Sequence, residues 1–169
     1  MSKQVSRNRI AVYPGSFDPP TNGHLDIAIR GSQLFDTMII AVYEFPDKNL
    51  LFSTDERLAL WQEVIACEGL TNTRVEKFTG LTVEYVRKVG GQAIIKGLRS
   101  TKDFEAEIQQ GLMNHKLAPE IETVCLFTNL EQLFVSSSLL KEVTRLGGDV
   151  TDLLPTPVIQ ALRQKIGAE

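Results

Sequence analysis

The chain has 169 residues, of which 43% are hydrophobic and 23% are charged, a composition that is typical of one folded domain and argues against disorder. The formal net charge of −3 argues against general nucleic-acid binding. The longest apolar run, 38–43, is far shorter than the roughly 20 residues of a membrane-spanning helix, so we expect no membrane partner.

Five short apolar runs alternate with helical patterns along the chain. The predicted strands are 9–13, 37–43, 73–78, 93–96 and 122–127. The predicted helices are 24–35, 54–67, 82–89, 103–117, 137–146 and 157–165. This alternation predicts an α/β fold, a single doubly wound domain over residues 1–169 with a five-stranded parallel sheet. Residues 1–8 are predicted to be a flexible N-terminal extension.

The cysteines and the N-terminus bear on the compartment. Cys67 and Cys125 lie in apolar contexts without metal-ligand or C-x-x-C spacing, which predicts buried, reduced thiols. The first nine residues are partly basic, but no apolar stretch follows them, so no secretory signal is expected. We therefore expect a cytoplasmic protein.

Segments that contain glycine, serine or basic residues follow every predicted strand. They are 14–24, 44–48, 79–82, 96–99 and 128–138. Because ligands bind at the carboxyl ends of such strands, one site at this edge of the sheet is predicted. The chain has neither G-x-G-x-x-G after the first strand nor a P-loop, which argues against a dinucleotide oxidoreductase and a P-loop NTPase.

The loop after the first strand, P-G-S-F-D-P-P-T-N-G-H, is the most informative segment. Gly15 and Ser16 form a tight turn where backbone can approach a ligand closely. Asn22 and Gly23 form a second turn that places His24 at the start of a helix, and a helix N-terminus attracts phosphate. His24 is therefore predicted to be a neutral donor beside a bound phosphate.

This loop resembles the T/H-x-G-H signature of the nucleotidyltransferase superfamily. With Thr21 in the first position, it is similar to that of the bacterial phosphopantetheine adenylyltransferases. Three further segments resemble that family in the same order: K-G-L-R at 96–99, D-F-E-A-E at 103–107 and V-S-S-S-L-L-K at 135–141. The resemblance covers roughly residues 9–165 and implies a Rossmann-like nucleotidyltransferase fold.

The resemblance implies adenylyl transfer from ATP to 4′-phosphopantetheine, giving dephospho-coenzyme A and pyrophosphate. Because the attacking group is already an anion, catalysis requires positioning and charge stabilisation rather than a protein nucleophile. The resemblance also implies Mg²⁺ held mainly by the ATP phosphates, a homohexamer, and feedback inhibition by coenzyme A.

The resemblance further assigns roles to residues. The catalytic residues are Ser16, His24, Lys48 and Arg99. The phosphopantetheine-binding residues are Ser16, Lys48, Thr82 and Lys96. The ATP-binding residues are Ser16, Phe17, His24, Gly97, Leu98, Arg99, Glu107, Gln132, Leu133, Phe134, Val135, Ser136, Ser137 and Ser138. No residue is assigned as a metal ligand.

The sequence departs from the family pattern at two places. Lys96 stands where arginine is frequent, and a lysine lacks the two-pronged guanidinium contact with phosphate. The segment 131–134 lacks the tryptophan or tyrosine often found before the serines. These departures bear on substrate affinity and leave the reaction class unchanged.

Two alternatives remain open. One is an adenylyl- or cytidylyltransferase acting on another phosphorylated acceptor, for which histidine is commoner at the position of Thr21. The other is a nucleotide-binding regulator that has lost the chemistry. The complete set of polar residues at the predicted site argues against the regulator, and an acceptor screen separates all three.

Overall fold

The computed structural model of the chain describes residues 8–47 and 49–167, except for the side chain of Lys102. Its strands are β1 (Ile10–Gly15), β2 (Thr37–Tyr43), β3 (Thr73–Phe78), β4 (Ala93–Leu98) and β5 (Glu122–Phe127). Its helices are α1 (Asn22–Leu34), α2 (Thr54–Cys67), α3 (Thr82–Lys88), α4 (Thr101–Leu117), α5 (Ser137–Arg145) and α6 (Thr156–Ile166).

The strands form one parallel sheet in the order β3-β2-β1-β4-β5. The direction of winding reverses between β1 and β4, so the loops after these two strands diverge and leave a crevice. The predicted α/β fold with a five-stranded parallel sheet is confirmed.

Alternate residues of each central strand enter two core clusters on opposite faces of the sheet. Tyr13 and Ile40 belong to the cluster that α1, α2, α5 and α6 cover. Val12 and Ile39 belong to the cluster that α3 and the segment after α4 cover. Both faces of β1 and β2 are therefore buried, which explains why these strands are almost wholly apolar.

Strand β1 runs further than the sequence predicts. The predicted strand ends at residue 13, yet Pro14 and Gly15 remain in register with β2, opposite Ala41 and Val42. Strand β4 pairs with β1 only near its start, at Ala11 and Val12. Strand β4 has separated from β1 by the level of Pro14. No carbonyl group of β4 therefore depends on a hydrogen bond from Pro14, whose nitrogen carries no hydrogen.

Strand β4 and helix α4 are also longer than predicted. Strand β4 continues past Lys96 to Leu98, because Gly97 and Leu98 still pair with β5. Helix α4 begins at Thr101 because the Ser100 side chain accepts from the backbone N–H of Asp103 and caps the helix. Both predicted boundaries are wrong because each lies at the limit of the apolar pattern of its element.

Helix α2 begins with a capping box at Ser53 and packs only part of its apolar face into the core. Trp61 and Val64 are fully buried, whereas Leu58 and Ile65 are only partly covered. Arg57 is buried in their place, with 0% of its surface exposed. A charged residue was not expected there.

The prediction of buried cysteines is wrong. Cys67 and Cys125 are both exposed free thiols. Cys67 is the last residue of α2, and Cys125 lies on the edge strand β5, so neither position is enclosed by packing on all sides.

The chain termini fall mostly outside the description. Residues 1–7 of the predicted extension lie outside the described residues, and Asn8 donates to the Thr37 hydroxyl over 3.3 Å. Among the described helices, none is both long and apolar enough to cross a membrane.

Candidate active site

A cleft of about 310 Å³, here called the central cleft, opens where the sheet reverses between β1 and β4. The loop after β1, the end of β4, one face of α4 and the N-terminus of α5 form its walls. Eleven of the predicted ATP-binding residues line it: Ser16, Phe17, His24, Gly97, Arg99, Glu107, Gln132, Val135, Ser136, Ser137 and Ser138. The fold therefore brings together segments that are more than a hundred residues apart in the sequence.

Three of the predicted ATP-binding residues are not among the described residues that line the central cleft. Leu98 is buried in the protein with 3% of its surface exposed, because its side chain leaves the opposite side of β4 from Gly97. Leu133 and Phe134 are exposed, Phe134 by 64%. Lys48 lies outside the described residues. The roles assigned to these four residues stay predictions, as do the roles assigned to the residues that line the cleft.

A second cleft of about 510 Å³, here called the side cleft, lies next to the central one. The two clefts share Pro14, Gly15, Ser16 and Lys96. The side cleft also contains Thr82, which the family resemblance assigns to acceptor binding, and it has apolar walls. Those walls include Phe78, Leu81, Met113 and Leu117. The polar central cleft and the side cleft, whose walls are more apolar, therefore meet at a single turn and a single lysine.

The turn after β1 is rigidly built around Phe17. The Phe17 backbone has φ of 49°, in the left-handed region that non-glycine residues rarely adopt. Its ring packs edge-on against Tyr13, His24 and Trp61, each with ring centroids 5.2 Å away. A Cβ at Gly15 would come within 2.7 Å of this ring, so Gly15 is required for the turn.

His24 is the third residue of α1 and completes a capping box with Thr21. The backbone N–H of Thr21 donates to His24 Nδ1 over 3.1 Å, and the N–H of His24 donates back to the Thr21 hydroxyl over 3.3 Å. Because Nδ1 accepts a hydrogen bond, the neutral ring carries its proton on Nε2. The helix cap thus fixes both the orientation and the tautomer of the imidazole.

The two described cations of the central cleft are each paired with a carboxylate on α4. Lys96 Nζ lies 3.1 Å from Glu107 Oε2 and also donates to the Gln110 amide oxygen. Arg99 donates to Asp103 over 2.9 Å and to the Val135 carbonyl over 2.6 Å. These contacts hold both cations in place before any phosphate is bound.

The N-terminus of α5 forms one wall of the central cleft. Ser136 caps the helix by accepting from the Leu139 N–H, and the Ser137 hydroxyl donates to the Pro19 carbonyl over 2.8 Å. The helix therefore presents its first amide groups and its positive dipole end at the cleft, which suits a phosphate chain.

Several residues of the site were missed at the sequence level. Asp18 is 2% exposed and accepts from the backbone N–H groups of Leu51 and Phe52 and from Lys141, the last over 2.6 Å. It ties the loop after β1 to the start of α2 and to α5. The available signal was Lys141, which ends the serine-rich segment three residues after Ser138.

Tyr13 is a second missed residue, because it was assigned only to a buried strand. It lines the central cleft beside Gly97. Burial, reinforced by the nearby carboxylates of Asp26 and Glu107, raises the pKa of its phenol well above the usual range. The hydroxyl therefore stays protonated and can donate a hydrogen bond in the cleft.

Among the described residues, no group of three or more His, Cys, Asp and Glu side chains is placed to hold a metal ion. The carboxylates of Glu107 and Asp103, which line the central cleft, are engaged by Lys96 and Arg99. The polar groups of the site are thus mainly donors and cations, suited to an anionic ligand.

Comparison with known proteins agrees with this geometry. Residues 12–143 match the family model described as cytidylyltransferase-like. A phosphopantetheine adenylyltransferase of Roseiflexus castenholzii is 51% identical to this chain over 158 residues, covering 94% of this chain and 98% of the relative. The chain belongs to the phosphopantetheine adenylyltransferase family.

Other members of the phosphopantetheine adenylyltransferase family give similar values. The protein of Alkaliphilus metalliredigens is 47% identical over 157 residues, which are 93% of this chain and 99% of that one. A solved structure, described as a putative nicotinate-nucleotide adenylyltransferase from Vibrio parahaemolyticus, superposes with a TM-score of 0.70. The superposition covers 92% of this chain and 99% of the solved chain. The sequence identity is 16%, so this likeness supports the fold alone.

Proposed function

We propose that the chain transfers the adenylyl group of ATP to 4′-phosphopantetheine, forming dephospho-coenzyme A and pyrophosphate. The observation that carries this proposal is the pair of clefts joined at Ser16 and Lys96. One cleft offers donors and cations for a triphosphate, and the other offers an apolar channel for an extended arm. The relatives named phosphopantetheine adenylyltransferase support the choice of acceptor.

In the proposed reaction, a phosphate oxygen of the acceptor attacks the α-phosphorus of ATP. The bond from the α-phosphorus to the oxygen that bridges to the β-phosphorus breaks, and pyrophosphate leaves in line. No proton has to be removed from the acceptor phosphate, because it is already an anion. The residues of the chain therefore hold the two phosphates in line and stabilise the charge that develops.

The positions of the residues in the central cleft support the following proposed roles. His24 Nε2–H and the turn at Ser16 and Phe17 serve the transferred phosphate. Arg99 and the first amides of α5 serve the departing pyrophosphate. Lys96, at the junction of the clefts, serves the acceptor phosphate as well as ATP, and Lys48 is proposed to assist it.

Mg²⁺ is proposed to arrive with ATP and to be held mainly by phosphate oxygens and water. The carboxylates of the cleft fit this arrangement, since Glu107 and Asp103 already pair with Lys96 and Arg99. The ion would neutralise charge on the phosphates. Coenzyme A is proposed as an inhibitor, because it contains both halves of the product and can occupy both clefts.

A homohexamer in the cytoplasm is proposed as the working form. The support is an exposed apolar stripe on α4, a kind of surface that often marks contact between protein chains. Its members are Phe104, Ile108, Leu112, Met113 and Leu117. The exposed thiols of Cys67 and Cys125 are compatible with a reducing compartment.

An acceptor screen tests the proposal. Pyrophosphate release from ATP is measured with 4′-phosphopantetheine, nicotinamide mononucleotide, nicotinate mononucleotide and glycerol phosphate as separate acceptors. We expect turnover that requires 4′-phosphopantetheine. Turnover with one of the other acceptors and none with 4′-phosphopantetheine would overturn the proposal.

A further inference from the structure

A buried arginine connects the two sides of the proposed active site without lining either cleft. Arg57 lies in the first turn of α2, and its surface is 0% exposed. Its Nη1 donates to the carbonyl oxygens of Ser16 and Tyr43, over 2.7 Å and 2.8 Å. Its Nη2 donates to the Thr54 hydroxyl over 2.9 Å.

This position is unfavourable for a cation on general grounds. The N-terminus of a helix repels positive charge, and burial removes the hydration of the guanidinium. Burial accordingly lowers the pKa of Arg57, while Asp18 and Glu44 act in the opposite direction. A neutral apolar side chain would fill the same space, so packing alone does not account for the arginine.

The carbonyl groups that Arg57 binds belong to the ends of β1 and β2. Ser16 lies in the turn that both clefts share, and Tyr43 lines the side cleft. The Thr54 hydroxyl in turn donates to the Glu44 carbonyl over 3.3 Å. One guanidinium therefore fixes the nucleotide-side turn relative to the start of the acceptor-side loop.

The contact with Ser16 also orients the next peptide group. In a planar trans peptide, the C=O and the following N–H point in opposite directions. Arg57 draws the Ser16 carbonyl away from the clefts, so the N–H of Phe17 points toward them. The left-handed backbone of Phe17, at φ 49°, needs such an external restraint to persist.

We propose that Arg57 is a positioning residue for adenylyl transfer, acting by holding the Ser16–Phe17 peptide so that the Phe17 N–H faces the transferred phosphate. The inference rests on the proposed function for the identity of that phosphate. Arg57 itself touches no substrate. It acts through the backbone of the turn and through the end of β2.

The test compares Arg57→Lys with Val64→Ala, both in α2. Lysine keeps the positive charge but cannot bind two carbonyl oxygens and a hydroxyl with fixed geometry. Val64 is buried on the same helix and makes no contact with the turn through hydrogen bonds, so Val64→Ala lowers stability without disturbing the peptide. For each folded variant, kcat and both KM values are measured with whichever acceptor supports wild-type turnover.

We expect Arg57→Lys to lower kcat about 10- to 100-fold, the range for a weakened donor to developing charge, with the KM for ATP changing far less. Val64→Ala should lower Tm and leave kcat near the wild-type value. A kcat for Arg57→Lys near wild type, or a loss matched by Val64→Ala at equal Tm, would overturn the inference. The acceptor that works tests the proposed function separately.

Thr54→Val provides a second variant if Arg57→Lys fails to fold. It removes the shorter of the two hydrogen bonds of Nη2, leaves the one to the Glu44 carbonyl at 3.4 Å, and keeps the guanidinium. The expected loss in kcat is about two- to tenfold, the equivalent of one hydrogen bond. An unchanged kcat in Thr54→Val together with an unfolded Arg57→Lys would assign Arg57 a purely structural role and refute the proposal.

Discussion

At the scale of single residues, His24 combines a structural and a chemical task. Its Nδ1 completes the capping box of α1, and its Nε2–H is the group we assign to the transferred phosphate. The two tasks can be separated because glutamine also completes a capping box at this position of a helix.

His24→Gln should keep the melting temperature near that of the wild type and lower kcat by about 10²–10³, the usual effect of losing one preorganised donor. His24→Ala should lose the same activity and also about 0.5–2 kcal/mol of stability with the cap. Thermal melting and steady-state kinetics of both variants check this. A His24→Gln variant with near-normal kcat would remove His24 from the chemistry.

Each cation should contribute to the binding of the substrate whose cleft it lines. Arg99 lines only the central cleft, whereas Lys96 lines both. Arg99→Ala should weaken ATP binding about 10- to 100-fold, because a hydrogen bond to a charged group is lost, and leave acceptor binding unchanged. Lys96→Ala should weaken both ligands, and Lys48→Ala the acceptor alone.

Calorimetric titration of each variant with each substrate measures this division. Arg74→Ala serves as the control, since Arg74 is an exposed cation on β3 that pairs with Glu76 outside both clefts. Equal losses of affinity for both ligands in Arg99→Ala would mean that the cations only raise the electrostatic potential of the whole cleft.

Residue assignments could be predicted where the chemistry lies in a loop after a strand. Ser16 and His24 are of this kind, because chain order alone puts such loops at one edge of a parallel sheet. Arg57 and Asp18 could not be found in this way. A charged side chain near a helix start or in a loop is normally solvated, and only the three-dimensional packing shows the carbonyls and amides that pair with them.

At the scale of elements, the carboxylate of Glu56 stabilises the start of α2 by accepting two hydrogen bonds. Glu56 accepts from the Ser53 N–H in the capping box and from Lys165 of α6 over 2.6 Å. The hydrogen bond from Lys165, followed by that from Ser53, lowers the pKa of Glu56 below its usual 4.5.

A lowered carboxyl pKa makes the stability of the protein depend on pH in a defined direction. The contribution of Glu56 is complete above its unfolded-state pKa of about 4.5 and is lost as the pH falls through its lower folded-state pKa. Glu56→Gln keeps the capping box but loses the ion pair, so we expect Tm at neutral pH to fall by about 1–3 °C.

Melting curves from neutral pH down to below the folded-state pKa check this, with Lys165→Met as the matched control for the same pair. Both variants should approach the wild-type Tm as the pH falls below 4.5. A difference in Tm that stays constant through this window would show that the ion pair does not contribute.

The type of each element could be predicted from its periodicity, and the ends could not. Strand β4 runs on through Gly97 and Leu98 because its neighbour β5 supplies hydrogen bonds that no local pattern reveals. Strand β1 tolerates Pro14 because β4 has already diverged there. In both cases a tertiary contact decides where the element ends.

At the scale of the whole molecule, the alternation of strands and helices predicts the parallel sheet, because each helical crossover returns the chain so that the next strand runs in the same direction. The strand order depends on which strands meet across the reversal between β1 and β4. That choice is made by long-range packing, and it creates the crevice where the predicted segments meet.

The apolar stripe of α4 allows a test of assembly. If neighbouring copies cover it, the wild type should have about six times the chain mass of 18.8 kDa by light scattering. Leu112→Glu places a charge in the stripe and should give a smaller species, because burying an unpaired charge at an interface is costly. Leu146→Glu, at an exposed leucine after α5, is the control and should leave the mass unchanged. A monomeric wild type would contradict the proposed hexamer.

Isotope tracing tests adenylyl transfer most directly, because it follows the bond that forms. 4′-Phosphopantetheine with isotopically heavy oxygen at every terminal phosphate position is turned over with unlabelled ATP, and the products are weighed by mass spectrometry. Attack of the acceptor on the α-phosphorus predicts dephospho-coenzyme A that keeps all of the label, together with unlabelled pyrophosphate. Release of AMP in place of pyrophosphate, or heavy oxygen in the pyrophosphate, would contradict it.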